Sequence, residues 1–379
     1  MSYYGATDYL ANDDFVLRMK DIRKGNLGLE WMKAGTEQIE VNAASKKRGL
    51  TYLDLNKGSY GYDDLAEIPR GPRGAGPRGA SYEVANQADL GPDLNCKSDV
   101  WAYKVASFYE EAVSRQWNAT TDVPWADLDK YDVPEEVEVA FAQLCTMLTE
   151  VEMVATDLPA KWCWRMNNQF HEVKGFIAGQ ALDEARHAEV FRKRALAGGV
   201  GLMQGSPQAE HSLKAILDCD TYSEASAFMH LLAEGNILTM FRFSEFISPT
   251  PVDKRMFQLV MQDEARHVSY GLQHLKWIID NTPERKEQMH AALDEAENFS
   301  LRQFDSALFE AMIVLAGKGT SPEQIKKGID IVGTLQIKQV EEYFQRLRRA
   351  GFGERIERSK FRDLLAAVSL RKQDAALPA

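Results

Sequence analysis

The pentapeptide Asp-Glu-Ala-Arg-His occurs twice in this chain, and its two histidines are 80 positions apart (267 minus 187). Glu184 and His187 stand three residues apart in the first copy, as do Glu264 and His267 in the second. On an α-helix, residues with this spacing lie on one face about one turn apart, so that a carboxylate and an imidazole can bind one metal ion. Carboxylate-bridged helix bundles use two such pairs and one further glutamate from each of two other helices. The repeat therefore predicts two metal ions held between two helices.

Both Glu–His pairs lie on apolar helix faces. The first stripe consists of Ile177, Ala181, Glu184, His187, Ala188 and Phe191, and the second of Phe257, Val260, Met261, Glu264, His267, Val268 and Gly271. A charge without a partner is unfavourable in an apolar environment. Two such pairs on apolar stripes favour metal binding over a charged turn that repeats by chance and faces solvent.

Two further glutamates are needed, and the apolar stripes predict which they are. Glu234 faces the core and precedes Glu264 by 30 residues, with a turn at Ser-Pro-Thr-Pro (248–251) between them. Glu152 lies on a clean apolar stripe and precedes Glu184 by 32 residues. The chain therefore resembles a duplicated helix pair, each half built as glutamate, turn and Glu-Ala-Arg-His.

Other glutamates compete for these positions. Glu150, or the adjacent pair Glu110 and Glu111, are the alternatives to Glu152, although Glu111 suits an exposed ion pair with Arg115 four residues later. Glu245 continues the face of Glu234, but only 19 residues separate it from Glu264, so a salt-bridging role is favoured.

The aspartates and arginines of the repeat are candidates for a supporting layer. A metal-bound histidine usually donates its second N–H to a carboxylate. Asp183 and Asp263 are placed to accept this bond from the histidine of the other copy, and Arg186 and Arg266 would neutralise the aspartates. The alternative is ordinary helix surface charge.

The remaining chain is predicted to be all-α. Apolar residues recur every three or four positions and predict helices near 98–118, 134–157, 165–197, 222–247, 252–280, 284–317, 322–349 and 354–374. This pattern indicates a helical domain over 96–379, with the metal-binding bundle at about 134–280 and extra helices at 284–374. Residues 1–95 are predicted to form an irregular N-terminal extension. Within it, segment 68–83 carries Arg70, Arg73 and Arg78 among glycines and prolines, which suits a loop or an arm around a neighbouring subunit better than an anion site.

Charge and composition narrow the class of protein. The net charge of −11 disfavours nucleic acids and anionic membranes as partners. No signal peptide and no apolar run of about 20 residues is recognisable. The four scattered cysteines indicate reduced thiols and a cytoplasmic protein.

The order of these motifs resembles a known group. Glu152, Glu184-Ala-Arg-His187, Glu234 and Glu264-Ala-Arg-His267 look like the ligand set of the di-iron carboxylate proteins of the ferritin-like superfamily. The pattern is most similar to the radical-generating subunit of class I ribonucleotide reductase and to the hydroxylase subunits of bacterial multicomponent monooxygenases. The segment from Glu110 to Trp125 is similar to one that precedes the first ligand in reductase-like proteins. The resemblance covers about residues 100–280.

The resemblance implies a di-iron enzyme that uses O2 as co-substrate and oxidises or oxygenates a small organic molecule. Its electrons would come from a separate reductase or ferredoxin, the chain would form a homodimer, and a Mn/Fe pair is the alternative cofactor. Residues on the same stripes are candidate pocket walls: Leu148, Ile177, Gln180, Phe191, Leu231 and Leu238. Two other functions stay open, a reductase-like radical generator and a non-catalytic metal-binding protein.

Three positions depart from the related patterns. Phe191 stands where most reductase radical subunits have a tyrosine, which excludes a tyrosyl radical at that site. Leu238 stands where the hydroxylases have a threonine, with Thr239 one residue further. Val260 stands where the aryl-amine oxygenases have an additional histidine. The resemblance therefore implies the metal centre more strongly than it implies a particular reaction.

Overall fold

The computed structural model describes residues 11–26, 50–51, 54, 67, 94–167, 169–204, 215–302, 306–363 and 365. Most of the predicted N-terminal extension, with Arg70, Arg73 and Arg78, lies outside this range. The chain separates into two compact units, one of residues 1–40 and 79–83 and the other of residues 41–78 and 84–379. Helix α1 (Asp13–Arg23) belongs to the first unit, and everything below belongs to the second.

The described part of the second unit is helical and contains no strand. Its elements are α2 (Lys97–Val100), α3 (Val105–Ser114), α4 (Glu135–Cys163), α5 (His171–Ala197), α6 (Tyr222–Ser226), the π-helix π1 (Ala227–Ala233), α7 (Glu234–Ile247), α8 (Pro251–Asn281), α9 (Lys286–Arg302), α10 (Ser306–Gly317) and α11 (Pro322–Arg349), with short 3-10 turns at Trp125–Lys130, Pro283–Arg285 and Gly353–Glu357. The predicted all-α class is confirmed.

Side-chain caps fix where the principal helices begin. Thr250 accepts from the backbone N–H of Asp253, whose carboxylate accepts in return from the backbone N–H of Thr250, so that α8 begins directly after the predicted turn. The same reciprocal capping by Thr221 begins α6, and that by Ser321 begins α11. Such caps satisfy backbone donors that the first helical turn leaves unpaired.

Several predicted helices differ in extent from the observed ones. The segment predicted as 98–118 is interrupted between α2 and α3, where Lys104 has a left-handed backbone (φ +62°). The segment 284–317 forms two helices, α9 and α10. The segment 222–247 is continuous, but its middle turn is the wider π1. Periodicity does not reveal these features, because one turn of altered backbone barely changes the spacing of apolar residues.

Two helix pairs form the centre of the bundle. Helix α4 packs along α5, and α7 packs along α8, while α5 and α8 also contact one another. Arg194 of α5 ties three helices together by ion pairs with Glu138 of α4 and Asp253 of α8, both at 2.5 Å. Helix α10 packs on α4, and α11 packs on α7. The pairs α4–α5 and α7–α8 therefore carry the predicted ligands inside a shared core.

Helix α4 is the one described helix that is long and apolar enough to cross a membrane by length and composition. Half of its most apolar window is buried inside the protein. Its residues Phe141, Leu144 and Leu148 belong to the main hydrophobic core. Burial between helices accounts for this composition.

Candidate metal centre

The six predicted ligands converge in two overlapping groups, which bring together carboxylate oxygens and histidine nitrogens within 4.8 Å of one another. The first group contains Glu152 and His187, and the second contains Glu234 and His267. Glu184 and Glu264 belong to both groups and lie between the two histidines. All six side chains are buried. The arrangement provides two adjacent positions with two shared carboxylates.

Each histidine presents its Nδ1 atom to the carboxylates. His187 Nδ1 lies 3.1 Å from Glu184 and 3.2 Å from Glu264. It lies 3.6 Å from Glu152. The two imidazole rings are 6.3 Å apart, centre to centre. Both rings therefore point one nitrogen into the same small space.

The second histidine has the same environment. His267 Nδ1 lies 3.0 Å from Glu184, 3.6 Å from Glu264 and 3.8 Å from Glu234. The repeated motif thus produces two matching sites that face each other across the bundle.

The outer nitrogens of the histidines contact the aspartates of the opposite motif. His187 Nε2 is 3.2 Å from Asp263, and His267 Nε2 is 3.4 Å from Asp183. These cross-bundle contacts are those expected from the sequence. They orient the rings so that the two Nδ1 atoms are left for the carboxylate cluster.

The arginines of the repeat close these contacts into a ring of charges. Arg186 bonds Asp183 at 2.5 Å and Asp263 at 2.8 Å. Arg266 bonds Asp183 at 3.1 Å and also bonds Asp263. Each guanidinium therefore bridges both aspartates, and all four groups are buried. Burial opposes ionisation of both aspartates, but the pKa of Asp183 is lowered by His267 and His187, and that of Asp263 by His187 and the two arginines.

Two residues that sequence analysis missed complete this ring. Trp117 Nε1 donates to Asp263 at 2.6 Å, and its indole stacks on the His187 ring at 6.3 Å. Gln116 donates to Asp183 at 3.2 Å and accepts from Arg186 at 2.5 Å. Both follow α3 in a connection about 70 residues before the first motif, so local spacing gave no signal of their role.

A separate hydrogen-bond chain reaches Glu234. Gln180 Nε2 donates to Glu234 at 2.9 Å. The Gln180 amide also lies 3.3 Å or less from His230 Nε2, and Ser226 Oγ lies 2.8 Å from His230 Nδ1. Burial, followed by the nearby positive histidine, lowers the pKa of His230 to about 3, so this ring is neutral. Gln180 therefore connects the Glu234 carboxylate to a neutral histidine.

The donor set fits two metal ions. Within the described residues, three buried glutamate oxygens have no hydrogen-bond partner: Glu152 Oε1, Glu234 Oε2 and Glu264 Oε2. Buried polar atoms without partners are rare in native proteins and call for an explanation such as a bound ion. Four carboxylates and two imidazoles are the donors that iron and manganese accept.

The acid–base properties of the cluster point in the same direction. Burial raises the pKa of Glu152 well above its ordinary value, and burial together with Glu264 does so for Glu234. Burial alone would lower the pKa of His187 and His267, but the surrounding carboxylates raise both. The cluster therefore binds protons in place of other positive charge, as expected for a site that is built for cations.

The competing glutamates lie elsewhere. Glu150 is half-buried and belongs to neither group. Glu111 pairs with Arg115 at 3.3 Å on the surface, as the sequence indicated. Glu245 accepts a hydrogen bond from Gln258 at 2.7 Å, outside the cluster. Among these candidates, the structure brings only Glu152 to the histidines.

A cavity of about 420 Å³, part of it open to solvent, leads to the four glutamates. Apart from Glu152, Glu184, Glu234 and Glu264, its lining is apolar: Val151, Val154, Ala155, Leu158, Ile216, Met229, Ala233 and Ile237. Apolar walls with a few converging polar groups are typical of sites for small ligands.

None of the six predicted pocket residues lines this cavity. Leu148, Phe191, Ile177 and Leu231 are fully buried in the hydrophobic clusters, Gln180 bonds Glu234, and Leu238 is half-buried. Residues at the centre of an apolar stripe fill the space between helices. The cavity instead opens beside α4 and π1, at positions on the edge of the stripe.

Comparison with known proteins places the fold. No protein family and no curated protein matches the chain significantly. A solved variant of an R2-like ligand-binding oxidase with an aerobically reconstituted Fe/Fe cofactor superposes with a TM-score of 0.52 at 16% identity, covering 66% of this chain and 94% of that one. A variant with a Mn/Fe cofactor gives 0.51 at 17% identity over the same shares. At this level of identity the similarity shows the fold. The described helices therefore have the ferritin-like arrangement that the sequence motifs implied.

Proposed function

We propose that this chain is a di-metal oxidoreductase that uses O2 to oxidise or oxygenate a small organic substrate. The observation that carries the proposal is the pair of overlapping Glu–His groups, with buried donor atoms that lack other partners. Solved structures of similar fold are described as ligand-binding oxidases with Fe/Fe or Mn/Fe cofactors. We assign iron to both positions, with Mn/Fe as the alternative, because the ligand types do not separate the two metals.

Each residue has a defined task in this proposal. Glu152 and His187 would hold one ion, Glu234 and His267 would hold the other, and Glu184 and Glu264, which belong to both groups, would serve both. When bound, two ferrous ions supply the electrons and open positions that O2 reduction requires. The ring of aspartates and arginines would orient the histidines.

The lining of the cavity supports the proposal of an apolar substrate. Among the described residues, its walls are apolar and include no lysine, arginine or histidine. An apolar molecule would therefore be held by its hydrocarbon surface, with the atom to be oxidised directed toward the glutamates. We further propose that electrons come from a separate reductase or ferredoxin and that the chain acts as a homodimer.

One observation favours a second candidate, a radical-generating subunit like that of ribonucleotide reductase. The indole of Trp117 is connected through Asp263 to His187 by hydrogen bonds. The phenyl ring of Phe191 cannot form the tyrosyl radical that most such subunits use, so this candidate requires another radical site. It predicts binding to a reductase large subunit, whereas metal storage would predict many irons per chain.

The proposal is tested by loading the protein anaerobically with Fe(II) and recording its optical spectrum after mixing with O2. We expect two irons per chain and a visible band that appears only in the presence of O2. Glu184→Ala and Glu264→Ala should abolish both the iron and the band, and the exposed variant Glu111→Ala should change neither. Iron binding without any reaction with O2 would refute the oxidase function and leave a metal-holding protein.

A further inference from the structure

The helical turn directly before Glu234 has an unusual backbone. The N–H of Glu234 donates to the carbonyl of Met229, five residues back, at the end of π1. A π-helix is rare, and the return to ordinary spacing in α7 disturbs the pairing of nearby carbonyls. Such a turn persists only where surrounding groups stabilise it.

Arg346 of α11 supplies these groups. Its Nε donates to the carbonyl of Leu231 at 2.8 Å, and its Nη1 donates to the carbonyl of Gly235 at 3.1 Å. Its Nη2 donates to the Asn236 side chain at 3.1 Å. The three acceptors lie on both sides of Glu234 in the chain. One planar guanidinium therefore spans the junction between π1 and α7.

The local packing is fitted to this guanidinium. A Cβ atom on residue 235 would lie 2.4 Å from Arg346 Cζ, so only glycine leaves room for it. Arg346 is buried, and within the described residues its hydrogen bonds go to neutral oxygens and not to a carboxylate. Burying a cation without an ion-pair partner is unfavourable. General helix packing does not account for such a group, whereas recognition of one particular turn does.

Neighbouring residues of α11 extend the contact along α7. Gln339 donates to the carbonyl of Asn236 at 3.2 Å, and Glu342 accepts from Thr239 at 2.6 Å. Positions 339, 342 and 346 lie on one helix face. The extra C-terminal helix is thereby attached to the segment that carries the fourth glutamate.

The same segment forms part of the cavity. Met229, Ala233, Glu234 and Ile237 all line it. We propose that Arg346 is a positioning residue, which fixes the π turn and through it both the Glu234 carboxylate and one wall of the substrate cavity. This inference rests on the proposed function for its metal readout, but the fixation of the turn can be measured without metal.

The test compares Arg346→Met and Gly235→Ala with the control Arg242→Met. Arg242 also joins α7 to α11, by an ion pair with Glu342, but is half exposed and does not contact the π turn. Gly235→Ala is informative because alanine favours a helix over glycine, so that a weakened site could not come from lower helix propensity. Its added methyl group would displace Arg346.

Two readouts are needed. The first readout is an anaerobic Co(II) titration monitored by visible absorption. We expect the wild type and Arg242→Met to bind two ions. Both test variants should bind the ion at Glu234 and His267 about tenfold or more weakly. In the metal-free protein, amide hydrogen exchange at residues 229–236 should be at least about tenfold faster in the test variants, with exchange in α4 and α5 unchanged.

The outcomes distinguish a failure of the role of Arg346 from a failure of the metal site. Unchanged exchange at residues 229–236 in Arg346→Met would overturn the role of Arg346 whatever the metal data show. Faster exchange throughout the bundle would also overturn it, because that result indicates a general structural role. A wild-type protein that binds no Co(II) would refute the metal site, while the exchange data would still decide whether Arg346 fixes the turn.

Discussion

The two halves of the metal centre share a pentapeptide but differ one and two turns away from it. Seven residues before the first histidine stands Gln180, which bonds Glu234, and the corresponding residue of the second half is Val260. Seven residues after the histidines stand Arg194, which forms buried ion pairs, and His274, which donates to the carbonyl of Trp101 at 2.6 Å. The motifs therefore define a symmetric centre, and their surroundings make it asymmetric.

The asymmetry concerns mainly the two unshared glutamates. Glu152 extends from the regular helix α4, whereas Glu234 follows the π turn and accepts a hydrogen bond from Gln180. Residues outside the repeat thus distinguish two positions that have the same ligand types. A site of this kind can bind two ions with different affinities or of different elements, such as manganese and iron.

The largest expected effect comes from the shared carboxylates. Glu184→Ala or Glu264→Ala should remove both metal ions, whereas Glu152→Ala or Glu234→Ala should remove only one, because each of the latter belongs to a single group. Metal content per chain, measured by atomic emission, checks this difference. Glu245→Ala is the control, and equal losses in all four variants would contradict the division into two positions.

The next effect concerns the ring of charges. Asp263→Asn should lower the free energy of unfolding by about 3 kcal/mol, because it removes one of the two carboxylates that the buried arginines and His187 contact. Trp117→Phe should cost about 1.5 kcal/mol, since it removes a single hydrogen bond to a charged group. Urea unfolding of the metal-free proteins measures both changes. The loss for Asp183→Asn should lie between these two values, because Asp183 has no contact with the indole. An unchanged free energy of unfolding in all three variants would show that the ring does not stabilise the fold.

A smaller effect should separate the two metal positions. Gln180→Leu keeps the approximate size of the side chain but removes the hydrogen bond to Glu234. The affinity for the ion at Glu234 and His267 should fall about tenfold, and the affinity for the ion at Glu152 and His187 should not change. Gln258→Leu is a matched control, because Gln258 bonds Glu245, a glutamate outside the cluster. Calorimetric titration with Mn(II) checks the prediction, and equal affinities in both variants would refute the role of Gln180.

The smallest effect is a pH dependence that only the second half should show. Burial lowers the pKa of His274 to about 4, so the unfolded chain binds one more proton than the folded chain between pH 4 and about 6.5. This contribution to stability is complete above about pH 6.5 and is lost as the pH falls through that range. The free energy of unfolding should lose about 1 kcal/mol from this residue between pH 6.5 and 5.5.

His274→Gln should remove this part of the pH dependence, because glutamine keeps hydrogen-bonding groups and does not titrate. Urea unfolding at several pH values compares the variant with the wild type. Identical slopes in the two proteins would mean that the ring is not neutral in the folded state. Arg194, at the corresponding position of the first half, stays charged and contributes no such slope.

The sequence predicted five of the converging residues because they lie on long, regular helices, and it predicted Glu234 because the apolar stripe continues across the π turn. Glu152 could be preferred over Glu150 since only one of them fits the apolar stripe, and the turn at 248–251 was recognisable from its prolines. Trp117 could not be found in this way, because it reaches Asp263 from a connection far away in the chain. Contacts of this kind depend on tertiary packing and leave no local pattern.

The cavity and the π turn could not be predicted from the sequence, and the reason differs from that for Trp117. Stripe analysis assumes that all helices have the same spacing and that the residues nearest the site surround it. In the structure those residues pack between helices, while Met229 and Ala233 reach the cavity from the widened turn. A local change of backbone therefore forms part of the pocket wall.

Anomalous diffraction from crystals grown anaerobically with Fe(II), recorded at the iron edge, would locate the metal ions. We expect two peaks between α5 and α8, one beside Glu152 and His187 and the other beside Glu234 and His267. A single peak, or peaks only at surface carboxylates, would contradict the di-metal centre.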